Sequence, residues 1–194
     1  ANVNAVSCIA YGGGTLSFVR DVLFTGITDM VGWRHAGTMQ LAHVGAVPDW
    51  DGSTGTDNAA ALAMVDGILS ATGEGEVQIT GQYATSEPWV FSTFGVRLAS
   101  NAKAWTGDII GTHTTGPVIQ FKKSHCRAEF ISVLASTARA AAGYSAVNSG
   151  IIVGDFDWDD LPAGGGTSGA FAHIAYCKVA DQPGNGILHV AGGG

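Results

Sequence analysis

Charged side chains are scarce in this sequence. Lys, Arg, Asp and Glu together make up 13% of its 194 residues, whereas about a quarter is usual in globular domains. Disordered chains need high charge and few apolar residues, and long coiled coils need many Glu and Lys residues, so both classes are excluded. Positive charge is the scarcest: the formal net charge is −7, and the densest basic cluster is Lys122-Lys123. Nucleic-acid binding, which normally requires a basic face, is therefore not expected.

Cysteine is equally sparse, and its spacing indicates no chemistry. Cys8, Cys126 and Cys177 lie far apart, without the spacing of a metal or redox motif, so we expect buried free thiols. The sequence also contains no zinc motif, nucleophile elbow or Ser-His-Asp pattern. It therefore predicts no catalytic residue, no cofactor and no metal.

Long apolar runs are absent as well. The most apolar early stretch, residues 8–24, is interrupted at 12–14 by three glycines and at 20–21 by Arg-Asp, so we expect no membrane insertion. Residues 1–4 carry no basic segment, and a secretory signal of the usual kind is not expected either.

Glycine, by contrast, is abundant, with 29 residues, and it surrounds one strong helical pattern. Residues 59–71 read AAALAMVDGILSA, with Thr56 or Asp57 available to cap the helix and residues 72–75 to end it. The apolar positions share helical spacing and form one stripe, which consists of Ala61, Leu62, Val65, Ile68 and Leu69.

The rest of the chain is a series of short apolar or alternating runs bounded by turn-forming residues, which is typical of all-β proteins. The runs are 76–79, 89–91, 96–98, 118–121, 130–133, 151–153, 172–175, 178–179 and 187–190. Cys126 and Cys177 each precede a further short strand. Gly116, Gly150 and Gly186 each open a run, a weak repeat that predicts stacked units with equivalent positions facing inward. Residues 136–149 and 155–169 are then expected to be loops.

Several of these segments, taken together, resemble a known family. The run 51–62 reads DGSTGTDNAAAL and is followed by GEGEVQITGQY at 73–83, Ser86-Glu87-Pro88 and Gly95-Val96-Arg97-Leu98. This order resembles the N-terminal motif of pectate-lyase-like right-handed parallel β-helices, and segment 175–187 is similar to one of their rungs. The resemblance covers residues 44 to about 100. The chain departs from it by lacking the usual Pro after the first strand and by extra residues in the first loop.

The resemblance implies an all-β fold, a right-handed parallel β-helix with an N-terminal capping helix, preceded by a short virion-anchoring segment. It implies that residues 1–45 are an anchor or adaptor segment. Residues 46–194 would then form the capping helix and the first rungs, and we expect the β-helix to continue in a longer polypeptide.

Chains with this motif after a short preamble resemble bacteriophage tail spikes and tail fibres. The implied partners are two further copies in a homotrimer, phage tail or baseplate proteins bound through residues 1–45, and a bacterial surface polysaccharide. The implied location is the virion tail, outside the host cell. A trimer would also account for the few charges, because surface would be hidden between chains.

The acidic and aromatic cluster at 155–160 is the candidate substrate-binding site. Its acids could hold a cation and its rings could stack on sugars, although it does not fit the calcium-loop pattern. The candidate residues are Asp155, Asp157, Trp158 and Asp159. Asp49, Asp51 and Asp57 are expected to form turns and to cap the helix. His173 and His189 are expected to be packed or trimer-facing.

Three functions stay open from the sequence. The first is a tail spike or fibre component that attaches to the virion tail and binds a host-surface polysaccharide. The alternative is a polysaccharide depolymerase, a lyase or glycoside hydrolase, whose activity would lie mostly outside these residues. The fold resemblance alone does not identify a catalytic site. The third is a bacterial surface protein without enzymatic activity.

Overall fold

The computed structural model describes residues 38–100, 107–154 and 172–190, together with the backbone of residues 3–4 and 24–25. Within these residues the chain is mostly β, with two α-helices, as the sequence predicts. The predicted loop 155–169, which contains the acidic cluster at 155–160, lies outside the described part, as do Cys8 and most of the predicted anchor segment.

The strands are short, in keeping with the short apolar runs of the sequence. They are β1 (Val3–Asn4), β2 (Phe24–Thr25), β3 (Thr38–Gln40), β4 (Gly75–Gln78), β5 (Gly81–Thr85), β6 (Trp89–Phe91), β7 (Val96–Ala99), β8 (Gly107–Gly111), β9 (Ile119–Phe121), β10 (Cys126–Glu129), β11 (Ile131–Ala135), β12 (Ile151–Val153), β13 (Ala172–Ala175), β14 (Lys178–Ala180) and β15 (Ile187–His189). The helices are α1 (Ala59–Thr72) and α2 (Thr137–Ala140), and 3-10 turns lie at Leu41–Val44 and Ala146–Asn148.

All strand pairs in the described residues are parallel, and β3 to β15 form three stacked sheets. Sheet 1 has the order β3-β4-β7-β10-β13, sheet 2 the order β5-β8-β11-β14, and sheet 3 the order β6-β9-β12-β15. Each consecutive trio of strands from β4 onward therefore gives one strand to each sheet, and we call such a trio a rung. This arrangement is compatible with a parallel β-helix.

Alternating side chains build the core between the sheets. Successive residues of a strand point to opposite faces, so register pairs form inward columns. In sheet 1 the column consists of Met39, Val77, Leu98, Ala128 and Ile174. In sheet 2 it consists of Tyr83, Ile109, Val133 and Val179, and in sheet 3 of Phe91, Phe121 and Val153.

Helix α1 lies against the first rung. The N-cap residue is Asn58, one position after the predicted Asp57, and its side chain makes no capping bond; Oδ1 of Asp57 instead accepts from the N–H of Ala59 at 3.1 Å. Gly73 ends the helix with φ +89°, as predicted. Four stripe residues, Leu62, Val65, Ile68 and Leu69, are buried in the same cluster as first-rung side chains. Leu69 packs so closely on Gly75 that a Cβ there would lie 2.5 Å from its Cδ2. The predicted apolar stripe is thus the face that packs on the sheets.

The polar loop before α1, residues 48–58, is held together by its own side chains. Asp49 accepts hydrogen bonds from the amide and hydroxyl of Thr56, both at 2.7 Å. Asp51 accepts from the amides of Ser53 and Thr54 at 2.8 and 2.7 Å. The hydrogen bonds to Asp51, of which the one from the Thr54 amide has the largest effect, hold the pKa of its carboxyl well below the usual range. The predicted turn-forming role of these acids is confirmed.

Residues 38–44, at the end of the predicted anchor segment, lie next to the first rung. β3 pairs with β4, and the 3-10 turn at Leu41–Val44 contacts α1. A division of the chain at residue 45 stays a prediction.

The segment 136–149, predicted to be a loop, contains α2 and a 3-10 turn, and it carries a buried cation. Arg139 in α2 is fully buried, and burial lowers the pKa of its guanidinium to about 10, so the group is charged at neutral pH. Its donors reach four backbone carbonyls and one side-chain amide oxygen. The acceptors are His113 O at 2.9 Å, Gly116 O at 2.7 Å, Asn148 O at 3.2 Å, Ser149 O at 3.1 Å and Gln182 Oε1 at 2.9 Å. These acceptors lie in the connections that follow β8, β11 and β14, which belong to three consecutive rungs. Arg139 therefore links the three connections to one another.

Candidate functional site

The outward face of sheet 1 carries a row of polar and charged side chains. Parallel register places one residue from each strand side by side, about 4.8 Å apart. The row, which we call the charged row, consists of Thr38, Glu76, Arg97, Arg127 and His173. It runs along the stacking axis across all five strands.

Arg97 is the paired cation of the charged row. Its Nη1 donates to Oε2 of Glu76, and its Nε and Nη2 donate to Oε2 of Glu129 at 2.8 and 2.7 Å. The bond to Glu129 is the main reason that the pKa of Arg97 is raised. Since the Arg97 side chain is 40% exposed, these ion pairs contribute little to stability, about 1 kcal/mol or less each. They fix two carboxylates on the face.

Arg127 is the uncompensated cation of the same row. It lies on β10 between Arg97 and His173, side by side with both. Arg127 is exposed, and within the described residues its guanidinium makes no ion pair or side-chain hydrogen bond. Glu129, two residues along β10, already accepts from Arg97 and lies 3.9 Å from Nε2 of His173. Arg127 therefore offers solvent a full set of donors.

Two stacked aromatic rings border the row where sheet 1 turns into sheet 2. Phe130 joins β10 to β11, and Tyr176 lies at the equivalent corner after β13. Their ring centroids are 4.9 Å apart with planes 5° from parallel. Phe130 and Tyr176 remain 36% and 72% exposed, respectively. They present an aromatic surface beside Glu129 and the charged row.

The backbone at this corner is unfavourable for such large residues. Phe130 and Tyr176 have φ values of +58° and +54°, in the left-handed region, which costs a non-glycine residue about 1–2 kcal/mol. A stacked aromatic pair contributes about 0.5–1.5 kcal/mol beyond its buried area. The combined strain of the two residues therefore exceeds the contribution of the stacking geometry by itself.

A second aromatic pair borders the opposite edge of the row, between sheet 3 and sheet 1. The rings of Phe94 and His125 are 4.7 Å apart, and Phe94 is 52% exposed. His125 has φ +64°, and the equivalent corner of the rung before is Gly95 at +69°. The charged row thus has exposed aromatic groups on both sides.

The residues singled out from the sequence are distributed differently. Asp155, Asp157, Trp158 and Asp159 lie outside the described residues, so their role stays a prediction. His173 is not packed within the chain, because its side chain is 63% exposed, and its predicted alternative, a position facing a trimer partner, stays a prediction. The described thiols are free, with Cys126 buried and Cys177 partly buried.

Other features of the described residues offer less chemistry. No group of three or more His, Cys, Asp or Glu side chains in this part of the chain is placed to hold a metal ion. Of the helices described, none is long and apolar enough to cross a bilayer. An open cavity of about 480 Å³ lies between the loop 48–58 and the start of α2, and no titratable side chain lines it.

No protein-family model, no curated protein and no solved structure matches this chain. The features that bear on function are therefore the stacked parallel sheets, the motif at 51–62 and the outward face of sheet 1.

Proposed function

We propose that this chain is part of a bacteriophage tail spike or tail fibre that binds a polysaccharide on the bacterial surface. In this proposal the sheets wind as a right-handed β-helix, the hand that nearly all parallel crossovers take. Helix α1 caps its first rung, and residues 1–45 attach to tail or baseplate proteins. The protein acts as a homotrimer in the virion tail, outside the host cell, and neither nucleic acid nor membrane insertion is involved.

The observation that carries the proposal is the charged row with aromatic rings on both edges. Five strands at about 4.8 Å extend it over roughly 19 Å, so it suits an elongated ligand. Guanidinium and carboxylate groups can bond to sugar hydroxyls, and aromatic faces can pack on the apolar side of a sugar ring. A polysaccharide offers both kinds of group along its length.

Replacing Arg127 with alanine is expected to weaken polysaccharide binding about tenfold or more, because hydrogen bonds to a charged group contribute about 1.5–3 kcal/mol each. Thermal unfolding should not change, since Arg127 is exposed and makes no ion pair within the described residues. The measurement is binding to an array of purified bacterial capsular polysaccharides and lipopolysaccharides, followed by calorimetry on those that bind.

The matched control is Arg127→Lys, which keeps the charge and should retain part of the affinity. Unchanged affinity of Arg127→Ala would contradict a role for the charged row. A folded wild-type chain that binds nothing on the array would contradict the proposed function.

The second candidate is a depolymerase, a lyase or a glycoside hydrolase, and one observation favours it. Glu76 and Glu129 lie on the strands on either side of β7, about 12 Å apart at the backbone because Glu129 is two residues further along in register, and both carboxylates reach towards Arg97 between them. Inverting glycosidases place their two carboxyl groups about 6.5–9.5 Å apart. Against this, Arg97 donates to both carboxylates, and neither can serve a glycosidic bond without breaking that network. Binding is therefore the better supported function.

The bound polysaccharide is accordingly expected to stay intact on prolonged incubation with the chain, with no new reducing ends and no absorbance from unsaturated sugars. Release of fragments by the wild type, and its loss in Glu76→Gln or Glu129→Gln, would instead establish the depolymerase. Gel filtration of the polysaccharide before and after incubation provides an independent measure.

A further inference from the structure

Large aromatic residues occupy corners of the stack where the backbone favours glycine or asparagine. Phe130 and Tyr176 both have left-handed φ values, yet their rings point outward and stack on each other. At another corner with a positive φ, the residue is a glycine, Gly95. Strained residues of this kind tend to be found at functional sites, and here the strain holds two exposed rings in a fixed place.

We propose that Tyr176 and Phe130 form a stacking subsite for one hexopyranose ring of the ligand. The inference rests on the proposed polysaccharide function and specifies where one sugar is held. Tyr176, the more exposed ring, is the contact surface, and Phe130 supports it from the preceding rung. The C–H bonds of a pyranose face carry partial positive charge and pack favourably on the electron-rich face of an aromatic ring.

Polar groups beside the rings complete the subsite. Glu129 directly precedes Phe130, and its carboxylate is held by Arg97. Lys178 follows Tyr176 by two residues and is exposed. A carboxylate and an ammonium group can offer an acceptor and donors to the hydroxyls at the rim of a pyranose held on the rings.

A sugar fits this surface better than a second protein chain does. Stable protein interfaces bury about 800 Å² on each partner, far more than two rings expose. The rim around the rings is charged, whereas the centre of a protein interface is depleted of charged residues.

Asparagine variants test the subsite, because asparagine tolerates the left-handed backbone better than Phe or Tyr. In wild type, saturation-transfer NMR should show methyl hexopyranosides receiving magnetisation from aromatic protons. Tyr176→Asn should abolish this signal and lower polysaccharide affinity about tenfold, with Phe130→Asn producing a smaller loss. Thermal stability should stay the same or rise in both. Tyr144→Ala, which removes a 76% exposed ring elsewhere, should change neither binding measurement.

Each other outcome is decisive. Unchanged sugar contact and affinity in Tyr176→Asn would overturn the subsite, as would an equal loss in Tyr144→Ala. A marked fall in melting temperature in both asparagine variants would assign the rings to the fold instead. Concentration-dependent self-association abolished by Tyr176→Asn would make a second copy the occupant. If methyl hexopyranosides bind through Tyr176 but no bacterial polysaccharide binds, the proposed function fails and the subsite stands; if neither binds, both fail.

Discussion

Replacing Arg139 with alanine is expected to lower the free energy of unfolding by about 3–5 kcal/mol, because a buried hydrogen-bonded charge is removed and its partners are left behind. Arg139 is completely buried. Without it, the carbonyls of Gly116, Asn148 and Ser149 lose the donor at their centre. The space of the side chain also becomes a cavity, which adds to the cost.

Urea unfolding monitored by circular dichroism measures this effect, and Arg97→Ala is the matched control. The Arg97 guanidinium also makes several hydrogen bonds, but it is 40% exposed, so losing its two ion pairs should cost about 2 kcal/mol or less in total. Arg139→Lys should be intermediate, since an ammonium has three donors instead of five. Equal stability losses in Arg139→Ala and Arg97→Ala would show that Arg139 does not join the rungs.

Replacing Asn58 with aspartate is expected to cost about 3 kcal/mol or more at neutral pH. Asn58 is buried, and its Oδ1 accepts from the amide of Val47 at 2.7 Å. Its Nδ2 donates to the carbonyls of Val47, Thr56 and Ala84 at 3.1, 2.9 and 3.2 Å. The substitution replaces the donating Nδ2 with a carboxylate oxygen that faces three carbonyl oxygens. The three hydrogen bonds are therefore replaced by electrostatic repulsion at the point where the loop 48–58 meets β5.

The pH dependence of that loss separates repulsion from simple loss of packing. Burial against carbonyl oxygens raises the pKa of the introduced carboxyl in the folded protein. Its protonated form is therefore compatible with folding, and stability is lost as the pH rises through that raised pKa. Asn58→Asp should accordingly recover towards wild type between neutral and mildly acidic pH, whereas the deficit of Asn58→Ala should not change. A pH-independent deficit in both variants would contradict this account of the Asn58 contacts.

Local patterns predicted the elements of the fold well. The sequence predicts helix α1 because the apolar stripe, the polar residues before it and the terminal Gly73 are all near neighbours in sequence. The short runs from 76 to 190 correspond to strands for the same reason. Two strands, β5 and β8, correspond to none of these runs, and the grouping of Phe130 with the strand 131–133 is wrong, because its backbone is left-handed. Apolar character alone does not distinguish a strand residue from an outward-facing corner residue.

The candidate site was harder to predict, because it depends on register between rungs. Glu76, Arg97, Arg127 and His173 become neighbours only when strands separated by unequal connections are aligned. The repeat Gly116, Gly150, Gly186 gave part of that alignment, but Ile119 pairs with Ile151 and Ile151 with Ile187. Gly150 and Gly186 are therefore equivalent to Val118, and Gly116 lies two residues earlier. The acidic cluster at 155–160, by contrast, is recognisable from the sequence because its residues are adjacent in the chain.

Arg139 illustrates the same limit for stability. Nothing around it in sequence distinguishes it from a solvated arginine on a polar loop, and its acceptors come from three different connections. Only the stacking of the rungs brings those oxygens together.

The most direct test of the central claim, that the outward face of sheet 1 binds a polysaccharide, is a crystal structure of the chain with an oligosaccharide from a bound bacterial polysaccharide. We predict that the sugar chain lies along the charged row, with its polar groups on Arg127 and one pyranose ring on Tyr176. An oligosaccharide bound instead on sheet 3, or in the cavity beside the loop 48–58, would contradict it.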